Sequence, residues 1–336
     1  MEKENIENNT EEKMFNDIDS KRMELWKKRI EVENTYNLRE GDELQYFDWI
    51  GFLKAKAISL FLKSIGLYNR GRLNATRISL KQVKFIYSEL PKELHGFKIL
   101  FISDLHLSQN YQEWFISGCS LTKQIKTPVD LVLLGGDYRY GYMGSEEFVL
   151  PMLRELLEPV ESRYGFFGVL GNHDISTIRD KMENIGIKIL VNEGVKIEHQ
   201  GIHIWIAGVD DPHNFNCADV SLALADAPND AFYIMLSHSP EVIEESALWG
   251  INLYLCGHTH GGQIGFPWVG PLYFNARCKR KYGLGKWSCA KMQGYTTSGF
   301  GVTDVPVRYK IYGEIVMITL LKLPNFDELT IRKNEI

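Results

Sequence analysis

Lys98-Ile-Leu-Phe-Ile-Ser-Asp104-Leu-His106 is the stretch that decides how this chain folds. Its apolar part has the length and composition of a buried strand, and it ends at an aspartate and a histidine. Because residues i and i+2 of an extended chain share a face, Asp104 and His106 are expected to point the same way. The stretch therefore predicts a buried strand that presents two ligand-type side chains at its carboxyl end.

Four further apolar runs lead into polar side chains of the same kinds. They end at Gly136-Asp137, at Gly171-Asn172-His173-Asp174, at His238 and at Gly257-His258-Thr259-His260. In open α/β sheets, ligands gather beyond the carboxyl ends of the strands. The strands alternate with helical segments from about residue 77 to residue 321, which predicts two packed sheets flanked by helices. Aspartate, asparagine and histidine at five strand ends are the residue types of a two-metal centre.

The placement of the histidines supports this interpretation. Five of the nine histidines fall in the motifs, whereas His95, His199 and His203 are assigned ordinary core or surface roles. His213 is intermediate, since it lies in a loop expected near the mouth of the site, where it would contact substrate. Imidazole ligands suit borderline metals, so we expect two divalent cations, manganese in the first place, with iron and zinc as alternatives.

Composition and charge limit the classes of partner. The chain has 336 residues, of which 44% are hydrophobic. Its net charge is −5, and residues 1–47 alone have a net charge of −5, so the rest of the chain is close to neutral. Without a global basic excess, no nucleic acid is expected, and no protein partner is inferred. Five cysteines without C-x-x-C spacing argue against a disulfide framework. The start has no apolar signal-peptide core, so a cytoplasmic location is predicted.

The chain divides into four segments. Residues 1–47 are predicted to be an acidic polar tail, partly disordered, and residues 48–84 a basic amphipathic segment that associates with membranes. Residues 85–325 form the predicted catalytic domain, and residues 326–336 a C-terminal tail.

Residues 49–84 carry eight basic side chains and no acidic one. Their apolar runs are far shorter than the ~20 residues of a spanning helix. A helix at the inner, anionic face of the membrane is favoured, and a helix packed on the domain with solvated lysines is the alternative.

The five motifs, in this order, resemble those of the calcineurin-like metallophosphoesterases over about residues 97–322. The resemblance implies a four-layer α/β/β/α sandwich of two mixed β-sheets flanked by helices, with two metals and an activated water as the nucleophile. It assigns the first metal to Asp104, His106 and His260, the second to Asn172, His238 and His258, and the bridging position to Asp137. It also implies that His173 stabilises the phosphoryl oxygens or protonates the leaving group. Asp174 would either orient that imidazole or cap the local turn.

A narrower resemblance is carried by three further stretches. Residues 90–99, 257–263 and 298–308 resemble the branch with the YkuE-like phosphoesterases and the chlamydial-type UDP-2,3-diacylglucosamine pyrophosphatases. Together with the basic segment, this suggests cleavage of a phosphodiester or pyrophosphate bond in a membrane-associated nucleotide-lipid such as UDP-2,3-diacylglucosamine, a precursor in lipid A biosynthesis. The alternatives are a general phosphodiesterase or phosphatase for a soluble or cell-wall substrate, and a non-catalytic membrane-bound scaffold.

Two basic or aromatic segments are predicted to contact the substrate. Tyr138, Arg139 and Tyr140 directly follow Asp137, so the guanidinium is expected to bind a phosphate and the rings to stack on a base or line an acyl groove. Residues 262–294 are predicted to form a long loop or cap, and residues 277–281 contain four basic side chains. This cluster suits a diphosphate or anionic headgroups, with a solvated loop as the alternative.

Overall fold

The structure is a computed structural model of the chain that describes residues 2–35, 49–109, 112–141, 147–271 and 273–324. Side chains are described from residue 17 in the first range and from residue 53 in the second. The tail predicted at residues 326–336 lies outside the described residues, as does the boundary predicted between residues 47 and 48.

The first six-stranded sheet has the order β1-β14-β2-β3-β4-β5. All its neighbours pair in parallel except β14 and β2, which are antiparallel. Its strands are β1 (Ile78–Tyr87), β2 (Lys98–Ile102), β3 (Leu131–Leu134), β4 (Phe166–Gly168), β5 (Ile187–Ile189) and β14 (Gly313–Lys322).

The second six-stranded sheet has the order β12-β13-β9-β8-β7-β6, with antiparallel pairs at its two edges and parallel pairs between them. Its strands are β6 (Glu193–His199), β7 (Ile202–Gly208), β8 (Phe232–Leu236), β9 (Leu253–Cys256), β12 (Gly285–Cys289) and β13 (Met292–Thr296). A two-stranded hairpin, β10 (Gly265–Phe266) and β11 (Gly270–Pro271), lies within the segment predicted as a loop or cap.

The helices complete a layered arrangement. They are α1 (Glu2–Thr35), α2 (Trp49–Ser64), α3 (Tyr68–Ala75), α4 (Glu113–Thr122), α5 (Val149–Leu157), α6 (Ile178–Glu183), α7 (Val220–Ala223) and α8 (Ile243–Leu248). Side chains of α4 and α5, such as Trp114 and Leu153, form one core with the outer face of the first sheet. Ile243 of α8 belongs to a second core on the outer face of the second sheet.

The core between the two sheets is made by alternate residues of their strands. Phe101 and Leu133 from the first sheet pack with Ile234 and Leu255 from the second, all of them fully or almost fully buried. Since successive residues of a strand face opposite sides, Leu100 and Val132 belong instead to the core under α4 and α5. Two mixed sheets flanked by helices are thereby confirmed, with one apolar layer between the sheets and one on each outer face.

The N-terminal region differs from its sequence-based prediction. Residues 17–35 were expected to belong to a polar tail, but α1 packs on the loop after β4 through buried Arg29 and Glu33. The charge pattern could not reveal this, because the buried residues Arg29 and Glu33, which help to anchor the helix, are themselves charged. Among the described residues, no helix is both long enough and apolar enough to cross a bilayer.

Candidate active site

The motif residues meet at the carboxyl ends of β2, β3, β4, β8 and β9, where the two sheets adjoin. Two groups of three side chains each bring their ligand atoms within 4.8 Å of one another: Asp104, His106 and His260 in one, and Asp137, His238 and His258 in the other. A third such group, His106, Asp137 and His173, overlaps both. The structure therefore brings together the six charged or imidazole residues that the resemblance assigned to metal.

Asp137 lies between the two groups. Its Oδ2 atom is 3.6 Å from His106 Nε2 on one side and 3.3 Å from His238 Nε2 on the other. Asn172 joins the second group, since its Oδ1 atom is 3.0 Å from His238 Nε2 and 2.8 Å from His258 Nδ1. A carboxylate between two sets of nitrogen and oxygen donors is the arrangement that a bridged pair of cations requires.

Backbone carbonyls orient two of the imidazoles. His238 Nδ1 donates to the carbonyl of Gly135 at 2.7 Å, and His106 Nδ1 donates to the carbonyl of Arg139 at 3.3 Å. A histidine that donates one ring N–H to a carbonyl presents the other nitrogen as a lone-pair ligand. The Nε2 atoms of His106 and His238 therefore face Asp137 and are the ring nitrogens available to a cation.

The buried donor atoms fit divalent cations. In the part of the chain that the structure describes, neither Asp104 Oδ2 nor His258 Nε2 has a hydrogen-bond partner, although both are buried. Buried polar atoms without a partner are rare and call for an explanation such as an ion. His106 Nε2 and His260 Nε2 lie only 3.0 Å apart, close enough to share one ligated ion. The set of imidazole nitrogens and carboxylate and amide oxygens suits manganese, iron or zinc.

Burial and charge adjust the protonation of these groups. Burial would raise the pKa of Asp137, but His238 and His173 outweigh it and hold that pKa well below its ordinary value. Burial lowers the pKa of His106 to about 3. Burial would also lower the pKa of His238, but Asp137 raises it to about 10. At pH 7 the shared carboxylate is therefore ionised and His106 is neutral, as ligation requires, whereas His238 keeps a proton that a bound cation would displace.

The backbone at the strand ends is unusual. Five of the seven residues assigned to metal have positive φ angles, namely Asp104, His106, Asp137, His258 and His260. Non-glycine residues adopt this region at a cost, and they concentrate at functional sites. Gly257 is needed for a different reason, because a Cβ there would lie 2.0 Å from Asp104 Oδ2. Sequence periodicity shows that a strand ends here but does not show these turns.

His173 and Asp174 occupy different environments. His173 Nε2 lies 3.9 Å from Asp137 Oδ2, and the imidazole packs edge-on against His106. The carboxylate of Asp174 accepts three backbone hydrogen bonds, from Gly171 and Asp137 at 2.8 Å and from Tyr138 at 2.9 Å. Of the two roles left open for Asp174, these contacts support local backbone capping, and they occupy its oxygens with amides.

Two of the residues predicted to contact substrate are enclosed instead. Tyr138 is fully buried and its hydroxyl donates to the carbonyl of Val169 at 2.9 Å. Arg139 is 1% exposed, and its Nε atom donates to the carbonyl of His173 at 2.7 Å. The prediction of substrate contact is corrected for both, because their side chains turn inward and support the loops. Tyr140 is half-buried, with its ring 6.2 Å from that of His106, so it keeps a place beside the site.

His213 lies at the site together with a residue that sequence reasoning missed. Its ring centroid is 4.1 Å from that of His258, and its Nδ1 atom donates to Glu241 Oε1 at 2.5 Å. Burial would raise the pKa of Glu241, but the hydrogen bond from His213 outweighs it and lowers that pKa to about 2. Arg277, from the basic cluster, donates to the carbonyl of His213. Glu241 follows His238 by three residues, and that proximity was the signal in the sequence.

Comparisons with known proteins agree with this geometry. The family described as calcineurin-like phosphoesterase matches residues 97–262, a range that contains every residue assigned to metal. The metallophosphoesterase YkuE of Bacillus subtilis, described as uncharacterized, is 30% identical over 69% of this chain and 82% of its own length. The phosphodiesterase YaeI of Escherichia coli is 30% identical over 67% of this chain and 82% of its own length.

Solved structures show a more distant likeness. The 5'-nucleotidase precursor of Thermus thermophilus superimposes with a TM-score of 0.39 and 14% identity, over 67% of this chain and 55% of that one.

Proposed function

We propose that this chain, which belongs to the calcineurin-like phosphoesterases, cleaves phosphodiester or pyrophosphate bonds in an amphiphilic substrate. Its family and relatives make it a metal-dependent phosphoester hydrolase. The observation that carries the proposal is the pair of ligand groups on either side of Asp137. Two bound cations, manganese in the first place, would supply the positive charge that activates water and neutralises a phosphate.

The residues have distinct proposed roles. Asp104, His106 and His260 hold one cation, Asn172, His238 and His258 hold the other, and Asp137 is shared. His173 is not needed as a ligand, so its imidazole serves the phosphoryl oxygens or the leaving group, as general acid–base groups do. Asp174 keeps this loop in register with Asp137 through its three backbone hydrogen bonds.

Diester cleavage is favoured over monoester cleavage for two reasons. The E. coli relative, which is 30% identical over 67% of this chain, is described as a phosphodiesterase. In addition, half-buried Tyr140 and His213 border the metal groups, and such rings can contact the organic group on the far side of a diester.

The exposed face of α2 supports a substrate at a membrane surface. Only Leu62 of its described side chains is buried, in a small cluster with Val305 and Val307. The apolar side chains left exposed on α2 and just beyond its end are Leu53, Ile58, Leu60, Phe61 and Ile65. A helix that simply packed on the domain would bury these groups and expose only lysines, whereas an interfacial helix uses them to enter the headgroup region.

The hairpin of β10 and β11 extends this apolar surface. Ile264, which directly precedes β10, packs on the same cluster as Leu62. Beyond it, Phe266, Val269 and a fully exposed Trp268 lie on or between the two strands. Tryptophan is the residue most typical of membrane interfaces. A nucleotide-linked lipid such as UDP-2,3-diacylglucosamine, presented by the bilayer next to the metal groups, is therefore the proposed substrate.

The hydrolase proposal is tested with bis(p-nitrophenyl) phosphate and Mn²⁺. Wild-type enzyme should release p-nitrophenol, Asp137→Asn should abolish the release, and His173→Ala should reduce kcat by 10²–10⁴-fold with both metals still bound. His203→Ala is the matched control, since that imidazole contacts Asp230 and no motif residue. Turnover of monoesters alone would overturn the diester assignment.

The membrane proposal is tested by flotation with vesicles of phosphatidylcholine with or without phosphatidylglycerol. The wild-type chain should float with the anionic vesicles, and the double variant Leu60→Ser and Phe61→Ser should not. Leu248→Ser, which changes an even more exposed leucine on α8, is the control. Incubation with UDP-2,3-diacylglucosamine should release UMP, and brisk diester cleavage without that release would rule out this substrate.

A further inference from the structure

Arg29 of α1 is completely buried, although it lies far outside the residues matched by the family. A buried guanidinium must be paired and hydrogen-bonded, because its desolvation is costly. Two carboxylates and two backbone carbonyls surround it. Glu33, one turn further along α1, accepts from Arg29 Nε through its Oε1 atom at 2.9 Å, and the other three groups lie outside α1.

The first of its external partners is the loop that carries His173. Arg29 Nη2 donates to the carbonyl of Asp174 at 2.6 Å and, more weakly, to that of Gly171 at 3.3 Å. Glu33 holds the next turn of the same loop, since its carboxylate accepts from Ser176 N at 2.8 Å and from Ser176 Oγ at 2.6 Å. The catalytic loop is thus fixed at both ends by one turn of α1.

The second partner is the loop that carries His213. Arg29 Nη1 donates to the buried carboxylate of Asp210, and the guanidinium lies 4.1 Å above the ring of Phe215. Asp210 also accepts from the backbone of Asp211, whose own carboxylate accepts from His213 N at 3.2 Å. Arg29 therefore holds the start and the end of the 210–215 loop.

We propose that Arg29 is a positioning residue that clamps these two loops together, which makes α1 a part of the active site. The planar guanidinium with five N–H donors can bond a carboxylate and two carbonyls in fixed directions, which a lysine ammonium cannot. The clamp sets the distance between His173 on one side of the metal groups and His213 on the other. It rests on the proposed function, since it assigns Arg29 a purpose in that reaction.

Two variants separate the clamp from simple anchoring of α1. Arg29→Met combined with Asp210→Asn removes the guanidinium together with the fully buried carboxylate that it pairs with, and leaves Glu33 bonded to Ser176. Arg22→Met is the matched control, because Arg22 also ties α1 to the domain, through Asp226 and the carbonyls of Asn192 and Leu222, but contacts neither loop. Each variant is measured for kcat and KM on bis(p-nitrophenyl) phosphate, for Mn²⁺ affinity by calorimetry, and for unfolding in urea.

The double variant should lose at least tenfold in kcat and bind its weaker Mn²⁺ at least threefold less tightly, because Asn172 lies in the clamped loop. Arg22→Met should keep both values within twofold of wild type, and Arg29→Lys should fall between. Unchanged kcat and Mn²⁺ affinity in the double variant, or equal losses in Arg22→Met, would overturn the clamp.

Two further results keep the test decisive. If the double variant does not fold, Glu33→Gln replaces it, since it keeps the shape and weakens the hold on Ser176, and the same losses in milder form are expected. If the wild type binds two Mn²⁺ ions but hydrolyses no phosphoester, the proposed function fails, while Mn²⁺ affinity still decides whether Arg29 clamps the loops.

Discussion

Asp174 Oδ2 accepts a hydrogen bond of 2.8 Å from the backbone N–H of Asp137, so the loop after β4 is fastened to the loop after β3 at the shared carboxylate. In return, Asp137 Oδ1 accepts from the backbone N–H of His173 at 2.8 Å. The two aspartates hold each other's loops. The position of Asp137 thus depends on a residue that lies outside the candidate ligand groups.

Asp174→Ala should destabilise the protein and impair the site together. The change leaves three buried N–H groups without their acceptor, each costing about 1–3 kcal/mol, so a loss of several kcal/mol in the free energy of unfolding is expected. Urea unfolding and Mn²⁺ titration measure both effects. Asp180→Ala, on α6, is the control. Normal stability with lost activity would show that Asp174 serves the imidazole of His173 instead.

Tyr138→Phe and Tyr140→Ala should affect different parameters. The buried hydroxyl of Tyr138 bonds to Val169, so its removal should cost about 1 kcal/mol of stability and leave KM unchanged. Tyr140 borders the metal groups, so its truncation should raise KM for aryl diesters severalfold with little change in unfolding. Steady-state kinetics with urea titrations distinguish them, and a raised KM in Tyr138→Phe would restore the original substrate-contact prediction.

Removal of the metals should lower the melting temperature reversibly. A ligand present at 100 times its Kd stabilises the folded state by about 2.7 kcal/mol per site, and two sites give about 5 kcal/mol. At roughly 2–4 °C per kcal/mol, EDTA should lower Tm by about 10 °C or more, and excess Mn²⁺ should restore it. Calorimetry measures the shift. Asp137→Asn should show little response to EDTA, and an equal response there would place the bound metal elsewhere.

Glu241→Gln should make the free energy of unfolding less dependent on pH in the acidic range. The folded pKa of Glu241, about 2, lies below its ordinary value of 4.5, so its contribution is present above about pH 4.5 and is lost as the pH falls toward 2. Such a shift corresponds to about 3 kcal/mol at most. In urea unfolding with EDTA present, the free energy of unfolding of the wild type should exceed that of the variant at pH 6, and this difference should fall by about half at pH 3. A difference that does not change with pH would contradict a stabilising hydrogen bond between His213 and the ionised carboxylate of Glu241.

The residues that the strand ends bring together could be predicted from the sequence. Asp104, His106 and His258 each follow a buried strand within a few residues, and parallel strands deliver their carboxyl ends to one edge. Local spacing therefore suffices to gather them, and the two-sheet architecture follows from the same strands. Tyr138 and Arg139 show where this reasoning stops, because spacing places them beside the site but does not say which way a side chain turns after the strand has ended.

The amino-acid sequence by itself determined the buried strands that end at the motifs, the donor set and the basic character of residues 49–84. These are properties of neighbouring residues, so periodicity and composition report them. Only the tertiary structure decided that Arg29 reaches Asp174 and Asp210, that Glu241 holds His213, and that Asp174 caps backbone amides. The first two join residues on separate elements, and the last depends on how two loops meet. Contacts between distant charged groups leave no local pattern, because an exposed and a buried arginine look the same in a sequence.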